Sequence, residues 1–370
     1  MRHMVGWLPR VGSGHEYELI ADEDDLDFLA PGPGVSVLPV ARKLRGPLRN
    51  ILWHQTALPG IVKSRGYDVL FLMAANRRIP YTVPCPTVGT VHDLASFHVA
   101  AKYDPFRDVY VRWVLPRLIR TLSHVVTVSR ASKEDILKFC QIPSERVTVV
   151  HNGVDRERFG PGDGARARAS LAPLGVNSPY FLYVSRIEHP GKNHVGLIDA
   201  FAACKRRGFP FQLVLAGPDK ERAAEVHRHA EASGFASDIH FLGFVSDETL
   251  RSLYHGAEAL VFPSRYEGFG LPIIEAMACG VPVLSSNASA LPEVGGDAAV
   301  YFDPLSTDSM VEAMMRVGGD EALRQDLKRR AIRRAAEFSV EAAARRTVDV
   351  IEQAGRVEPS SARIRTVRGP

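Results

Sequence analysis

Short apolar runs rich in β-branched and aromatic residues alternate with helix-patterned stretches along most of this chain, and no other feature restricts its fold as much. Strands separated by a helix run the same way, so the alternation predicts parallel sheets covered by helices, an α/β architecture. Residues 67–72, 87–91, 124–128 and 147–150 read as strands of a first sheet. Residues 180–185, 211–216, 239–242, 259–263, 282–286 and 299–302 read as strands of a second. Ser132-x-x-Asp135 resembles a capping box opening a helix that ends near Cys140. An amphipathic helix is expected over 195–205 and a last one over 340–353.

With 370 residues, 45% of them hydrophobic, two domains with separate cores are expected. The divisions fall at 1–160 for the first domain, 161–178 for a linker rich in Gly, Pro, Ala and Arg, and 179–337 for the second domain. A closing helix occupies 338–356, and the polar, basic tail 357–370 reads as disordered. No run approaches the roughly 20 apolar residues of a membrane span, and no signal-peptide pattern opens the chain. Cys85, Cys140, Cys204 and Cys279 lie far apart with no metal or redox spacing, so they read as reduced thiols of a cytoplasmic protein. No His, Cys, Asp or Glu pattern points to a metal.

Glu267-Gly-Phe-Gly-Leu-Pro-Ile-Ile-Glu275 is the stretch with the most chemistry. It follows a strand and opens a helix, with Pro272 suited to the first turn and Gly280 to the end. Gly268 and Gly270 permit backbone angles that other residues avoid, which lets amides approach a ligand. A helix N-terminus carries about +0.5 charge and unpaired N–H groups, both favourable to phosphate. Taken alone, two acids on a surface helix are the commoner explanation of such a pair. The neighbouring cluster changes that balance. Ser185-Arg186-Ile-Glu-His-Pro-Gly-Lys192-Asn193 leaves the carboxyl end of a strand, where open α/β sheets bind ligands. Arg186 and Lys192 there can neutralise a diphosphate without a metal. Gly191-Lys192 is no GxxxxGK phosphate loop, because Arg186 stands at its first glycine position.

With Val91-His92-Asp93, Val150-His-Asn-Gly-Val-Asp155, Gly243-Phe-Val245 and Ser289-Ala-Leu-Pro-Glu293 added in order, the chain resembles a retaining glycosyltransferase of family 4. These pieces span residues 85–305. The resemblance implies the GT-B fold, two facing Rossmann-like domains, with the last helix crossing back to the first. It implies that Arg186 and Lys192 bind diphosphate, that Glu267 faces the donor sugar, and that the amides of Gly268, Phe269, Gly270 and Leu271 hold sugar and phosphate. Glu275 matches the ribose-binding acid, and Phe244 and Val245 match the segment that reads the base. His92 matches a histidine reaching across the cleft to the sugar, with a structural strand-end role as the competing explanation. His151 and Asn152 read as turn chemistry.

The implied reaction moves a sugar from a nucleotide-diphosphate donor to a glycan or lipid-linked acceptor, with retention, no metal and no cofactor. The Val-His-Asp-Leu stretch favours GDP-mannose, beside UDP- and dTDP-sugars. A nucleotide-sugar epimerase or sugar phosphorylase on the same fold, or a catalytically silent nucleotide-sugar-binding protein, would carry much of the same pattern. Family members begin with a strand and a glycine-rich loop. Here residues 1–11, with Met4, Trp7, Leu8 and Val11 at helical spacing, resemble the helix that follows, so the first strand is expected to be missing, with a true start upstream as the preferred reading and a shortened protein with an incomplete first sheet as the other.

Residues 28–130 hold 14 Lys and Arg against 4 Asp and Glu, whereas the whole chain is +4. Over 41–53, cations mix with Leu44, Leu48, Leu52 and Trp53, which fits peripheral contact with anionic lipid on the inner face of the plasma membrane. A basic solvated face flanking a buried stripe explains the same residues equally well. No nucleic-acid motif accompanies the charge.

Overall fold

The computed structural model describes residues 2–12, 14–29, 32–40, 47–75, 79–99 and 109–356. Expectations for the basic residues 41–46 and for the tail from 357 fall outside that range. Every strand pairing among the described residues that builds a sheet is parallel. The second sheet holds β7 (Tyr180–Val184), β8 (Gln212–Ala216), β9 (Ile239–Gly243), β10 (Ala259–Phe262), β11 (Val283–Ser286) and β12 (Ala299–Phe302). Their spatial order is β12-β11-β10-β7-β8-β9, the doubly wound arrangement in which strand order reverses between β7 and β10. These strands are apolar on both faces because helices cover both sides, and Tyr180, Phe181, Tyr183 and Phe262 are almost fully buried.

The first domain divides its sheet. β1 (Tyr17–Asp22) pairs with β2 (Val35–Val40), while β3 (Leu70–Leu72), β4 (Thr87–Val91), β5 (His124–Thr127) and β6 (Val147–Val149) form a separate four-stranded sheet. Ile20 of β1 packs with Leu70, and the Tyr67 hydroxyl donates to the Glu18 carboxylate, so side chains bridge the two pieces. The break lies between β1 and β3, where a doubly wound sheet carries its first strand.

Two local expectations need correction. Ser129, not Ser132, caps the helix Arg130–Asp135, its hydroxyl accepting from the Ser132 amide at 3.0 Å. Ser132 and Asp135 sit inside the helix and turn toward the other domain, so the capping-box pattern reflects their work elsewhere. The stretch 161–178 is also more than a linker. It contains the helix Gly164–Leu171, started by the Asp163 carboxylate, and Ala167 and Leu171 of that helix are buried.

The last helix, Val340–Arg356, packs across the first sheet, with Ala343, Val350 and Ala354 joining Val88, Val126 and Val150. It begins at a tight crossing, because a Cβ on Gly153 would lie 2.2 Å from the Val340 nitrogen. Backbone cannot yield as a side-chain tip does. Gly153→Ala is therefore expected to destabilise the chain by about 1–3 kcal/mol or more. An unchanged thermal midpoint would show that this crossing is not tight.

Candidate active site

The reversal between β7 and β10 brings two loops side by side. The loop after β7 carries Arg186 to Asn193, and the loop after β10 carries Tyr266 to Gly270. Close packing shapes the first: Gly217 at the end of β8 has φ 148°, and a Cβ there would lie 2.0 Å from the Ser185 carbonyl oxygen. Tyr183 donates to the Lys192 carbonyl at 2.8 Å, and Asn193 Nδ2 donates to the Pro304 carbonyl at 2.7 Å. Asn193 itself takes φ 59°, a left-handed conformation that Asn tolerates better than most residues. His194 is fully buried beneath the loop, and burial holds its imidazole down to about 4, so it is a neutral structural group.

Lys192 Nζ lies 2.6 Å from Glu267 Oε1, with both side chains largely buried. Arg186 is half-exposed and paired with the buried Glu188 at 3.0 Å. The two cations are thus oriented by carboxylates from different places, Lys192 by the facing loop and Arg186 by its own. Ser289, at φ 49°, clamps Glu267 from both sides. Its hydroxyl accepts from the Glu267 amide at 2.9 Å and donates to the Glu267 carbonyl at 2.6 Å.

The helix Leu271–Ala278 opens beside this pair with Pro272 in its first turn. Gly270 has φ 104°, as its position demands. Gly268 does not need a positive φ; it is small because a Cβ there would lie 2.3 Å from the His92 carbonyl oxygen. The Phe269 side chain is buried against Phe338 and His151, which leaves only its backbone available to a ligand. Leu271 is partly exposed, Phe244 is 84% exposed, and Val245 packs on the core. Glu275 is half-buried one turn into the helix, and Tyr254 donates to its Oε2 at 2.8 Å.

From the other domain, His92 follows β4. Its Nε2 donates to the Met73 carbonyl at 3.1 Å, which places the proton on that nitrogen. Burial lowers its pKa against the opposing pull of that bond, so the ring is neutral near pH 7. His92 therefore brings polarity to the cleft without a positive charge.

Several residues join the domains that the sequence did not single out. The Ser132 hydroxyl lies 3.1 Å from the His92 carbonyl and 3.3 Å from that of Gly268. Asp135 accepts from His98 at 2.8 Å and from the Tyr266 hydroxyl, and the two rings stack 4.5 Å apart. Glu293 accepts the Arg130 amide with both oxygens, at 3.0 and 2.8 Å, and the His151 Nε2–H at 2.6 Å. Burial alone would raise the Glu293 carboxyl, but the bonds from His151 and from the Arg130 and Ala131 amides outweigh it and hold the value low. His151 is thus an interdomain partner beyond its turn. The available signals were weak: Tyr266 adjoins Glu267, and Glu293 ends a family motif without a stated role.

Among the described residues, no group of three or more His, Cys, Asp and Glu is placed to hold a metal ion, and no helix is long and apolar enough to cross a membrane. Leu52 is exposed, whereas Trp53 packs with Leu58 and Val62.

Facing parallel sheets with a charged crevice at their carboxyl ends define a GT-B glycosyltransferase, and the comparisons agree. Residues 172–334 match the family described as Glycosyl transferases group 1, and residues 1–158 match Glycosyltransferase Family 4. The chain belongs to this family, and it is a glycosyltransferase. It is 31% identical over 266 residues to the O-antigen chain mannosyltransferase B of Escherichia coli, covering 71% of this chain and 69% of that protein. It is 32% identical over 266 residues to the serotype-specific mannosyltransferase WbdA of Escherichia coli, covering 70% of this chain but only 32% of that longer protein. The fold matches that of Anabaena Alr3699/HepE, solved in complex with UDP and glucose, with TM-score 0.73 at 19% identity over 96% of each chain.

Two outcomes follow from this geometry. Gly268→Ala should push the loop away from His92, lowering kcat/KM by about 10²-fold and also lowering the thermal midpoint, because the atom it meets is backbone. Full activity would mean that the domains need not approach so closely. Glu293 has a depressed folded-state pKa, so its contribution to stability is present above the unfolded value and lost as pH falls through the folded one. Melting curves from about pH 7 to about pH 3 should therefore show a shallower acid decline in Glu293→Gln than in the parent. Superimposable acid limbs, after normalisation at neutral pH, would count against the clamp.

Proposed function

We propose that this glycosyltransferase moves mannose from a nucleotide-diphosphate donor to a glycan or lipid-linked acceptor, retaining the anomeric configuration and using no metal. The observation that carries the reading is the Lys192–Glu267 pair at 2.6 Å, set at the opening of the helix Leu271–Ala278. In this reading Lys192 and Arg186 take the diphosphate, and Glu267 directs the sugar. The amides of Gly268 to Leu271 add the dipole of the helix start. Charge develops on the leaving diphosphate as the glycosidic bond breaks, so preorganised cations there favour the transition state over the ground state. Glu267 is occupied by Lys192 and makes a poor nucleophile. That favours attack from the leaving-group face, with the departing phosphate taking the acceptor proton. Glu275 accepts the ribose hydroxyls, and the backbone at Phe244 and Val245 reads the base.

Mannose rests on relatives named as mannosyltransferases at 31–32% identity. UDP-sugars are the second reading for the donor, favoured by the UDP and glucose bound to a protein of the same fold. The excess of cations over residues 28–130 and the exposed Leu52 favour peripheral contact with anionic lipid, which would bring the enzyme to a lipid-linked acceptor.

A donor panel of GDP-mannose, UDP-glucose and dTDP- and ADP-sugars, read by product NMR, tests the assignment. The expected result is transfer from GDP-mannose with an α-linked product. Inversion, or an isomerised donor without transfer, would overturn it. Arg186→Ala and Lys192→Ala should each lower turnover by about 10²–10³-fold. Near-normal turnover in either variant would remove the diphosphate assignment.

A further inference from the structure

The connection between the two sheets carries an arginine that this reading does not use. Asp155 accepts the amides of Glu157 and Arg158 at 3.0 and 3.1 Å, so a tight turn sets the direction in which Arg158 leaves the backbone. Arg158 Nη2 donates to Asp247 Oδ1 at 2.5 Å. Asp247 opens the helix Asp247–Gly256, directly after the Phe244–Ser246 segment at the proposed base site. The guanidinium also lies over the Phe159 ring, 4.7 Å from its centre. Phe159 is buried and meets the Tyr254 ring edge-on at 5.9 Å, and Tyr254 is the residue that donates to Glu275. Arg158 Nε is buried without a hydrogen-bond partner, an uncommon state for a guanidinium donor. One side chain from the interdomain connection thus touches the base-side turn and, through two rings that meet edge to face, the support of the ribose-side acid.

We propose that Arg158 is a positioning residue for the nucleoside half of the donor, supplying positive charge to Glu275 and fixing the base-side turn through Asp247. The proposal rests on the reading that Glu275 binds the ribose. A carboxylate accepts ribose hydroxyls more strongly when it is ionised, because the bonds are then charge-assisted. Glu275 is under pressure in the other direction, because burial raises its pKa. The Tyr254 hydrogen bond and the Arg158 charge pull it down, while Asp247 pushes it up. Cys279, which faces both Glu275 and Arg251, has a thiol that burial pushes up to about 12, leaving it neutral. Tyr254 is likewise held neutral by burial. Among the described residues, Arg158 is the cation that lowers the pKa of this acid, and its pairing with Asp247 also offsets the negative charge that raises it. The reacting end of the donor, at Lys192 and Glu267, lies on other loops.

The test uses the full chain and calorimetric affinities for GDP and UDP, and for their 2′-deoxyribose forms, between about pH 5 and about pH 8.5. Arg158→Gln should move the acid-side loss of affinity to higher pH, because removing a nearby opposite charge favours the protonated acid. Arg158→Lys should restore most of it. An Arg158→Gln profile that superimposes on the parent's, with only a lower melting temperature, would make Arg158 a purely structural residue and overturn the proposal. Glu275→Gln separates the two levels. If that variant still prefers the ribose forms, the ribose reading itself fails and takes this inference with it. If the preference disappears while Arg158→Gln leaves the pH profile unmoved, only the role given to Arg158 fails.

Discussion

The close approach of Gly268 to the backbone at His92 is the contact on which the rest of the site depends. It brings the carboxyl end of a strand in one sheet against the loop that opens a helix on the other, with no room for a side chain between them. Everything chemical in the cleft is arranged around that meeting point. The Ser132 hydroxyl reaches the carbonyls on both sides of it, and Asp135 gathers His98 and Tyr266 just beyond. Glu293 closes the other flank by accepting backbone amides at the start of the helix Arg130–Asp135. The bonds from Ser132 to Gly268, from Tyr266 to Asp135 and from the Arg130 amide to Glu293 cross between the domains, while those from Ser132 to His92 and from His98 to Asp135 brace the first domain's side of the contact.

The charges follow the same division. The groups that the donor diphosphate would meet are cations oriented by carboxylates, Lys192 by Glu267 and Arg186 by Glu188. The histidines nearest the chemistry, His92 and His194, are held neutral by burial. Positive charge at these loops is therefore carried by Lys192 and Arg186, each beside a carboxylate, and not by the two imidazoles.

Much of this was legible in the chain. The strands of the second domain stand within a residue or two of where the apolar runs placed them, because strands buried on both faces write continuous hydrophobic stretches. The glycines around Glu267 marked a special turn, but their reasons differ. Gly270 serves its own backbone angle, and Gly268 serves His92, 176 residues earlier in the chain. Ser132 and Asp135 matched a local capping pattern while bonding to partners far away in sequence. The helix Gly164–Leu171 was hidden by a Gly-, Pro- and Arg-rich composition, since packing on its neighbours outweighs weak local propensity.

By itself the sequence determined the alternation of strand and helix, the two-domain division and the residue types at each strand end, because periodicity and turn chemistry are local. Only the tertiary structure decided which of those strand ends face one another. That choice follows from strand order, which reverses between β7 and β10, and from the path of the last helix across the first sheet. It is why Lys192 donates to Glu267, 75 residues away, at 2.6 Å, and why Glu293 serves a helix from the other domain.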